Sequence, residues 1–169
     1  MLSWRIAIIG LHFYCCMKTG VMQNQTKALF PAASRIKTDV TPGVNPTFHR
    51  SLSDVHLLFE ILLAGIDFEA SGDFSVKDAE LASLRKTKNL ELIFEEIIPR
   101  TLTDTFMLIS DLSTHMGHLH QDDFERTLLT LVYTAHQMVS STTEHQRDAW
   151  AESFVSLYKA INQDLTGTN

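Results

Sequence analysis

Cysteine is almost absent from this chain of 169 residues: its two cysteines, Cys15 and Cys16, are adjacent in the apolar N-terminal run. If that run is a signal peptide that is removed, the remaining protein has no cysteine, which is unusual for a small secreted domain. The chain is long enough to bury a core without disulfides or metals. We therefore expect packing to stabilise the fold, and an intracellular protein with an unusual N-terminus stays open as the alternative.

Catalytic, phosphate-binding and metal-binding sequence motifs are also absent. The sequence has no glycine-rich phosphate loop, no nucleophile elbow and no HExxH metal signature. The acid pairs Glu95-Glu96 and Asp122-Asp123 are sequence neighbours, so the two members of each pair do not face a common point on a helix. We predict no catalytic residues, no cofactor and no enzymatic activity.

Positive charge is scarce in most of the chain. Residues 51–169 hold 8 of the 14 basic residues and 19 of the 20 acidic ones, a net charge of −11, whereas residues 1–50 have a net charge of +5. Contacts with phosphate groups require concentrated lysine and arginine. This charge balance excludes nucleic acid and argues against an anionic membrane surface as a partner.

Hydrophobic runs of transmembrane length are missing as well. After Arg5, an apolar run extends from Ile6 to about Met17. A run of about 12 residues fits the core of a signal peptide and is too short to span a bilayer. We therefore predict a signal peptide at residues 1–20, secretion to the extracellular space, and no membrane span in the mature chain. An uncleaved signal anchor and a core-forming N-terminal helix are the alternatives.

Residues 21–50 are predicted to form an irregular arm. Three prolines interrupt helix formation there: Pro31, Pro42 and Pro46. The apolar cluster Ala28-Leu29-Phe30 is a candidate for docking on the domain as extended chain, and an arm that is cleaved near Lys37 or disordered is the alternative. Asn24-Gln25-Thr26 is an N-glycosylation sequon, so Asn24 is the predicted glycosylation site.

Residues 51–169 are predicted to form a helical domain organised around the stretch Asp54–Phe68. In this stretch His56, Glu60 and Asp67 share one narrow strip of a helix, and apolar residues cover most of the remaining circumference. A helix of this kind belongs at the centre of a domain. We predict that it runs from Leu52 to Glu69, with Ser51 or Ser53 as its N-cap.

Capping residues and a 3.6-residue periodicity predict the other helices. Five helix starts are predicted, each named by its N-cap residue and, where there is one, its capping-box partner. They are Ser75 (partner Asp78), Asn89, Thr101 or Thr103, Asp122 (partner Glu125), and Thr143 (partner Gln146). The last helix places its apolar residues within an arc of about 100°: Trp150, Phe154, Leu157, Tyr158, Ile161 and Leu165. The predicted fold is all-α, a compact bundle of five or six helices around the central apolar helix, preceded by the signal peptide and the arm.

The segment from His115 to Asp123 is the strongest candidate for a metal site. It contains three histidines and two carboxylates, and these groups suit zinc or copper. Their spacing matches no common zinc motif, and Asp122 already has a role as a helix cap. We therefore interpret the segment as a solvated polar loop and predict no metal site.

A row of threonines on the helix after Asp122 allows two interpretations. Thr127, Thr130 and Thr134 occupy one strip of that helix. The simpler interpretation is a solvent-exposed row, because an exposed threonine needs no special explanation. A surface that contacts another helix is the alternative.

Several collinear blocks of the sequence share the pattern of one family: Leu29–Ala33, Leu58–Ala64, Glu80–Lys86, Ile98-Pro99, Asp123–Thr127 and Ser156–Ala160. In these blocks the chain resembles the vertebrate "family with sequence similarity 180". The resemblance implies a small secreted-type protein and supplies no catalytic residues. It does not extend to a furin-like site, since Thr38 follows Arg35-Ile36-Lys37 where family members continue into a further arginine.

These features predict a secreted helical protein that acts as an extracellular factor by binding another protein. The alternative is a carrier that holds a small apolar ligand between its helices. Seven aromatic residues would line such a pocket: Phe59, Phe94, Phe106, Phe124, Trp150, Phe154 and Tyr158. Because large apolar side chains usually form the core, we favour the first hypothesis.

Overall fold

A computed structural model describes residues 29–30, 47–69, 73–115 and 117–166. Its elements in chain order are α1 (Leu52–Ala64), β1 (Ile66–Phe68), β2 (Phe74–Val76), α2 (Ala79–Ser83), α3 (Arg85–Glu96), α4 (Leu102–Ser113), α5 (Gln121–Ser140) and α6 (Glu144–Thr166). The predicted all-α class is confirmed, and none of the helices in these ranges could cross a membrane. The predicted signal peptide, Asn24 and Arg35–Lys37 lie outside the described residues.

Helix α1 begins where the sequence predicts and ends five residues early. The Ser51 hydroxyl accepts a hydrogen bond from the Asp54 backbone N–H at 3.3 Å. The Asp54 carboxylate in turn accepts one from the Ser51 backbone N–H at 3.0 Å, which completes a capping box. The helix stops at Ala64 because Gly65 adopts a φ of 102°, in the left-handed region that favours glycine.

Only one side of α1 is buried, so the prediction that it lies at the centre of the domain was wrong. Val55, Leu58 and Ile61 face the core. On the opposite side Leu52 is 55 % exposed, Phe59 38 % and Leu63 62 %. The solvent-facing side therefore extends well beyond the predicted strip of His56, Glu60 and Asp67.

A short antiparallel hairpin replaces the end of the predicted first helix and the start of the second. Ile66 pairs with Val76, and Phe68 pairs with Phe74. Phe68, Phe74 and Val76 are buried, whereas Asp67 and Ser75 are exposed, which is the two-residue alternation of a half-buried strand. Ser75 therefore does not cap a helix.

After the hairpin, some helices begin at the predicted capping residues and others do not. Asp78 alone caps α2, accepting a hydrogen bond from the Leu81 backbone N–H at 2.9 Å. Helix α3 starts at Arg85, so Asn89 lies inside it rather than at its start. Thr101 and Thr143 are confirmed as caps, accepting from the backbone N–H groups of Asp104 and Gln146 respectively.

The helix at the centre of the domain is α5, in which every residue from Phe124 to Leu131 is buried. It packs along α6, and α6 also packs against α4. In α6, Trp150, Leu157 and Ile161 face inward as predicted. Tyr158 and Leu165 were predicted inside, but each is 40 % exposed. The buried stripe of α6 is thus narrower than its apolar sequence pattern.

Aromatic rings join the hairpin to α3 and α5. The Phe94 ring stacks on the Phe74 ring with a centroid distance of 4.8 Å and an interplanar angle of 15°. It also meets the edge of the Phe68 ring at 5.2 Å. Phe68 contacts the Tyr133 ring on α5 at 5.1 Å. The hairpin is therefore part of the core, although it contains only two three-residue strands.

Candidate functional site

The carboxylate of Glu125 is fully buried in the first turns of α5 and holds the chain segment that precedes α1. Its Oε1 accepts a hydrogen bond from the Phe48 backbone N–H at 2.7 Å, and its Oε2 accepts one from the His49 backbone N–H at 2.9 Å. The His49 Nδ1 also contacts Oε2. On the other side of the ring, the His49 Nε2 lies against the side-chain amide of Gln121. We call Gln121, Glu125 and the His49 side chain the Glu125 latch.

The latch contradicts the predicted capping box of Asp122 with Glu125. The N-cap of α5 is His120, which makes no side-chain capping bond. The Phe124 backbone N–H instead donates to the His120 carbonyl at 2.8 Å. Glu125 points into the protein because the backbone of Phe48 and His49 runs directly against this turn of α5.

The protonation of His49 is coupled to Glu125. Burial by itself lowers the pKa of the His49 imidazole, but the hydrogen bond and the ion pair with Glu125 outweigh burial, so the pKa is raised above its ordinary value. Asp122 and Asp54 contribute in the same direction. The folded protein therefore holds the imidazolium form more strongly than the unfolded chain does.

We expect the contribution of His49 to stability to be pH-dependent. A raised pKa in the folded state means that this contribution is full below the unfolded pKa of about 6.5 and is lost as the pH rises through the folded pKa. The measurement is urea unfolding of the wild-type protein and of His49→Gln between about pH 5.5 and 8.5. The difference in unfolding free energy between them should shrink as the pH rises; a constant difference contradicts the coupling.

Phe30, in the apolar cluster of the predicted arm, packs against α5. This side chain is buried, and the guanidinium carbon of Arg126 lies 5.9 Å from its ring centroid. Arg126 also approaches Asp123, with 3.4 Å between Nη1 and Oδ1. Burial raises the pKa of Asp123, and the nearby Arg126 charge opposes that shift. The Phe30 ring therefore lies over the charged group of Arg126 on α5.

The histidine segment joins the end of α6 in the structure. The His118 Nδ1 lies 3.1 Å from the Asp164 carbonyl oxygen and 3.3 Å from Asp164 Oδ1. The Leu119 backbone N–H donates to the same Oδ1 at 2.6 Å. Within the described ranges, no three histidine, cysteine or acidic side chains are placed to hold a metal ion together. The contact with Asp164 therefore accounts for the position of the His118 side chain.

The threonine row of α5 is buried, so the solvent-exposed interpretation was wrong. Thr127, Thr130 and Thr134 are each fully buried. Their hydroxyls donate to carbonyls of the same helix, for example from Thr127 to Asp123 at 2.6 Å and from Thr130 to Arg126 at 2.8 Å. Because the hydroxyls are bonded within α5, these residues can pack against neighbouring elements without leaving a polar group unsatisfied.

Three exposed apolar side chains and one histidine share one side of α1. At about 100° per residue, Leu52, His56, Phe59 and Leu63 fall within an arc of about 60° on the side away from the core. All four side chains are exposed. We call this set the α1 stripe. Helix α6 carries a second exposed set, formed by Val155, Tyr158 and Leu165.

Among the residues that the structure describes, nothing supports the ligand-carrier hypothesis. A cavity lined by Leu112, His115, Leu119 and Asp164, among others, has a volume of about 30 Å³. This is far below the roughly 300–1,000 Å³ of small-molecule pockets. Of the seven aromatic residues proposed to line a pocket, Phe94 and Trp150 pack against other rings, while Phe59, Phe106 and Tyr158 reach solvent.

Comparison with known proteins identifies relatives over most of the chain. Residues 29–165 match the FAM180 family. The human protein FAM180B is 28 % identical over 152 residues, which cover 89 % of this chain and 79 % of the human protein. No solved structure matches the chain. The matched range includes Phe30, the Glu125 latch and the α1 stripe.

Proposed function

We propose that this chain, which belongs to the FAM180 family, is a secreted helical protein that acts as an extracellular factor by binding another protein. The observation that carries the binding role is the α1 stripe. It presents three large apolar side chains to solvent on a helix whose start is fixed by a capping box. Exposed apolar groups arranged on one side of a rigid element are typical of protein-binding surfaces.

The Glu125 carboxylate is not placed to act on a substrate. A catalytic carboxylate must reach a substrate, but Glu125 is fully buried and both of its oxygens are engaged by Phe48 and His49. We infer that the latch is structural. It fixes the chain that enters α1 and thereby positions the α1 stripe.

The sequence supports secretion through two features. The apolar run Ile6–Met17 has the length of a signal-peptide core, and the sequon at Asn24 follows it closely. A sequon is modified only in a chain that enters the secretory pathway. Cleavage before Asn24 leaves that site near the new N-terminus.

Expression of the full chain in mammalian cells tests this proposal. We expect the protein in the medium, with an N-terminus created by removal of residues 1–20, and with a mass that falls on enzymatic deglycosylation. An Asn24→Gln variant should be secreted with the lower mass from the start, and this control assigns the sugar to Asn24. Retention of an unprocessed chain in the cytosol would show that the protein is not secreted.

A further inference from the structure

We propose that the entry segment, defined as residues 47–50 directly before α1, detaches from α5 as the pH rises while the helices stay folded. His49 is the group whose charge controls the detachment. The proposal concerns the Glu125 latch alone and holds whether or not the chain is secreted or binds another protein.

The entry segment is attached to the domain through carboxylates, and it lies outside the helices and strands. The backbone N–H groups of Phe48 and His49 donate to the two oxygens of Glu125 at 2.7 and 2.9 Å. The Arg50 backbone N–H donates to Asp54 Oδ2 at 2.8 Å. Helical hydrogen bonds open cooperatively, whereas a segment held by separate side-chain contacts can open locally. The entry segment can therefore leave α5 without unfolding that helix.

Loss of the His49 proton changes the charge balance beneath the entry segment. Three carboxylates act on the imidazole: Glu125 and Asp122 of α5, and Asp54 of α1. Lys86 of α3 lies 3.2 Å from Asp54 and 5.3 Å from the Phe48 ring centroid. When His49 becomes neutral, the three acids lose the cation that lies directly against the buried Glu125 carboxylate, where charges are screened least. The segment is then held less firmly.

The direction of the response follows from the same contacts. The pKa of His49 is raised while the segment is closed, although burial opposes the shift, and it returns to about 6.5 once the ring is in water. Closure is therefore strongest below about pH 6.5 and weakens as the pH rises through the pKa of the closed state. Between those two pKa values, the equilibrium constant for opening rises by up to about tenfold per pH unit.

A buried ion pair is an unusual way to hold a segment in place, since well-packed apolar residues often stabilise a protein as well or better. The pair of His49 with Glu125 adds a response to protonation near neutral pH, where histidine changes its charge. Opening also returns Phe48, which is fully buried in the closed state, to solvent. The latch therefore couples the protonation of one ring to the exposure of an aromatic side chain just before α1.

Amide hydrogen exchange of the full chain tests the proposal, measured by NMR between about pH 5.5 and 8 with each rate divided by the intrinsic rate at that pH. The amides of Phe48 and His49 should be less protected than that of Leu129, a buried residue of α5, at every pH. Their protection should fall by up to about tenfold per pH unit above about pH 6.5, and the His49 ring signals should titrate over the same range. Protection equal to that of Leu129, an opening constant that is independent of pH, or a His49 ring that titrates below about pH 6.5 would each overturn the proposal.

Two variants assign the response to His49. His49→Asn keeps an amide donor close to the position of Nδ1 but gains no charge near neutral pH, so the protection of the Phe48 amide should become independent of pH. His136→Asn is the matched control, because His136 also contacts a carboxylate, that of Asp67 at 3.2 Å, but at an exposed site near the other end of α5. It should leave the pH response of Phe48 unchanged. A response that persists in His49→Asn, or that disappears in His136→Asn, would overturn the role of His49, and the wild-type measurements decide the proposal even if His49→Asn does not fold.

Discussion

Replacing Glu125 with alanine is expected to lower the free energy of unfolding by about 3–5 kcal/mol, the usual cost of removing one partner of a buried ion pair. The substitution leaves the backbone N–H groups of Phe48 and His49, which bond to the Glu125 carboxylate at 2.7 and 2.9 Å, without their acceptor. It also leaves the buried imidazole of His49 without its counter-ion. Urea unfolding, followed by circular dichroism at a pH near 6, measures the loss.

Two further variants separate the latch from general effects on the helices. Glu125→Gln retains an oxygen that can accept one of the two backbone hydrogen bonds, so it should lose less stability than Glu125→Ala. Glu152→Ala changes an exposed glutamate on α6 and should stay within about 0.5 kcal/mol of the wild type. If Glu125→Ala costs no more than Glu152→Ala, the latch does not stabilise the fold.

Replacing Phe94 with alanine is expected to lower the unfolding free energy by about 3–5 kcal/mol, as for other large-to-small changes in a packed core. The Phe94 side chain is almost fully buried, and its ring contacts Phe74 and Phe68 at centroid distances of 4.8 and 5.2 Å. Its removal opens a cavity and also takes away the ring on which the hairpin packs. The measurement is again urea unfolding, with tryptophan fluorescence reporting on the environment of Trp150.

The matched control is Phe106→Ala, because Phe106 has the same side chain but is 40 % exposed on α4. Its loss should be clearly smaller, since less apolar surface returns to water and no enclosed cavity forms. Equal losses for the two variants would contradict the larger contribution expected of the buried Phe94 ring. An unaltered Phe94→Ala protein would place the hairpin outside the core.

The sequence predicted the fold class and the helix starts that depend on local chemistry. Ser51, Thr101 and Thr143 cap helices through bonds to residues three positions away, so a short window of sequence contains all the information. The hairpin was missed because its strands are three residues long, and alternation over so short a stretch is indistinguishable from a helical pattern. The central position was assigned to α1 because its sequence is the most apolar, whereas α5 is more fully buried despite carrying threonine, glutamate and arginine.

The latch could not be predicted because it depends on tertiary contacts. Glu125 stands three residues after Asp122, and this spacing is indistinguishable in sequence from a capping box. Its actual partners, Phe48 and His49, are 77 and 76 residues away. At about 100° per residue, Glu125 lies about 60° beyond the arc formed by Phe124, Leu128 and Leu131, so the apolar pattern gave no signal that it is buried. The threonine row was misinterpreted for a related reason, since hydroxyl bonding within the helix makes threonine acceptable in a core.

The sequence separation of the latch has a consequence for the order in which the chain acquires its structure during synthesis. His49 and Glu125 are 76 residues apart, and ribosomes add about 5–20 residues per second. About 4–15 s therefore pass between the appearance of the histidine and that of its partner carboxylate. Throughout that interval Phe30 and Phe48 lack their native neighbours on α5. The N-terminal part of this protein thus depends on late translation for its contacts with α5, and a chain truncated before α5 cannot form them.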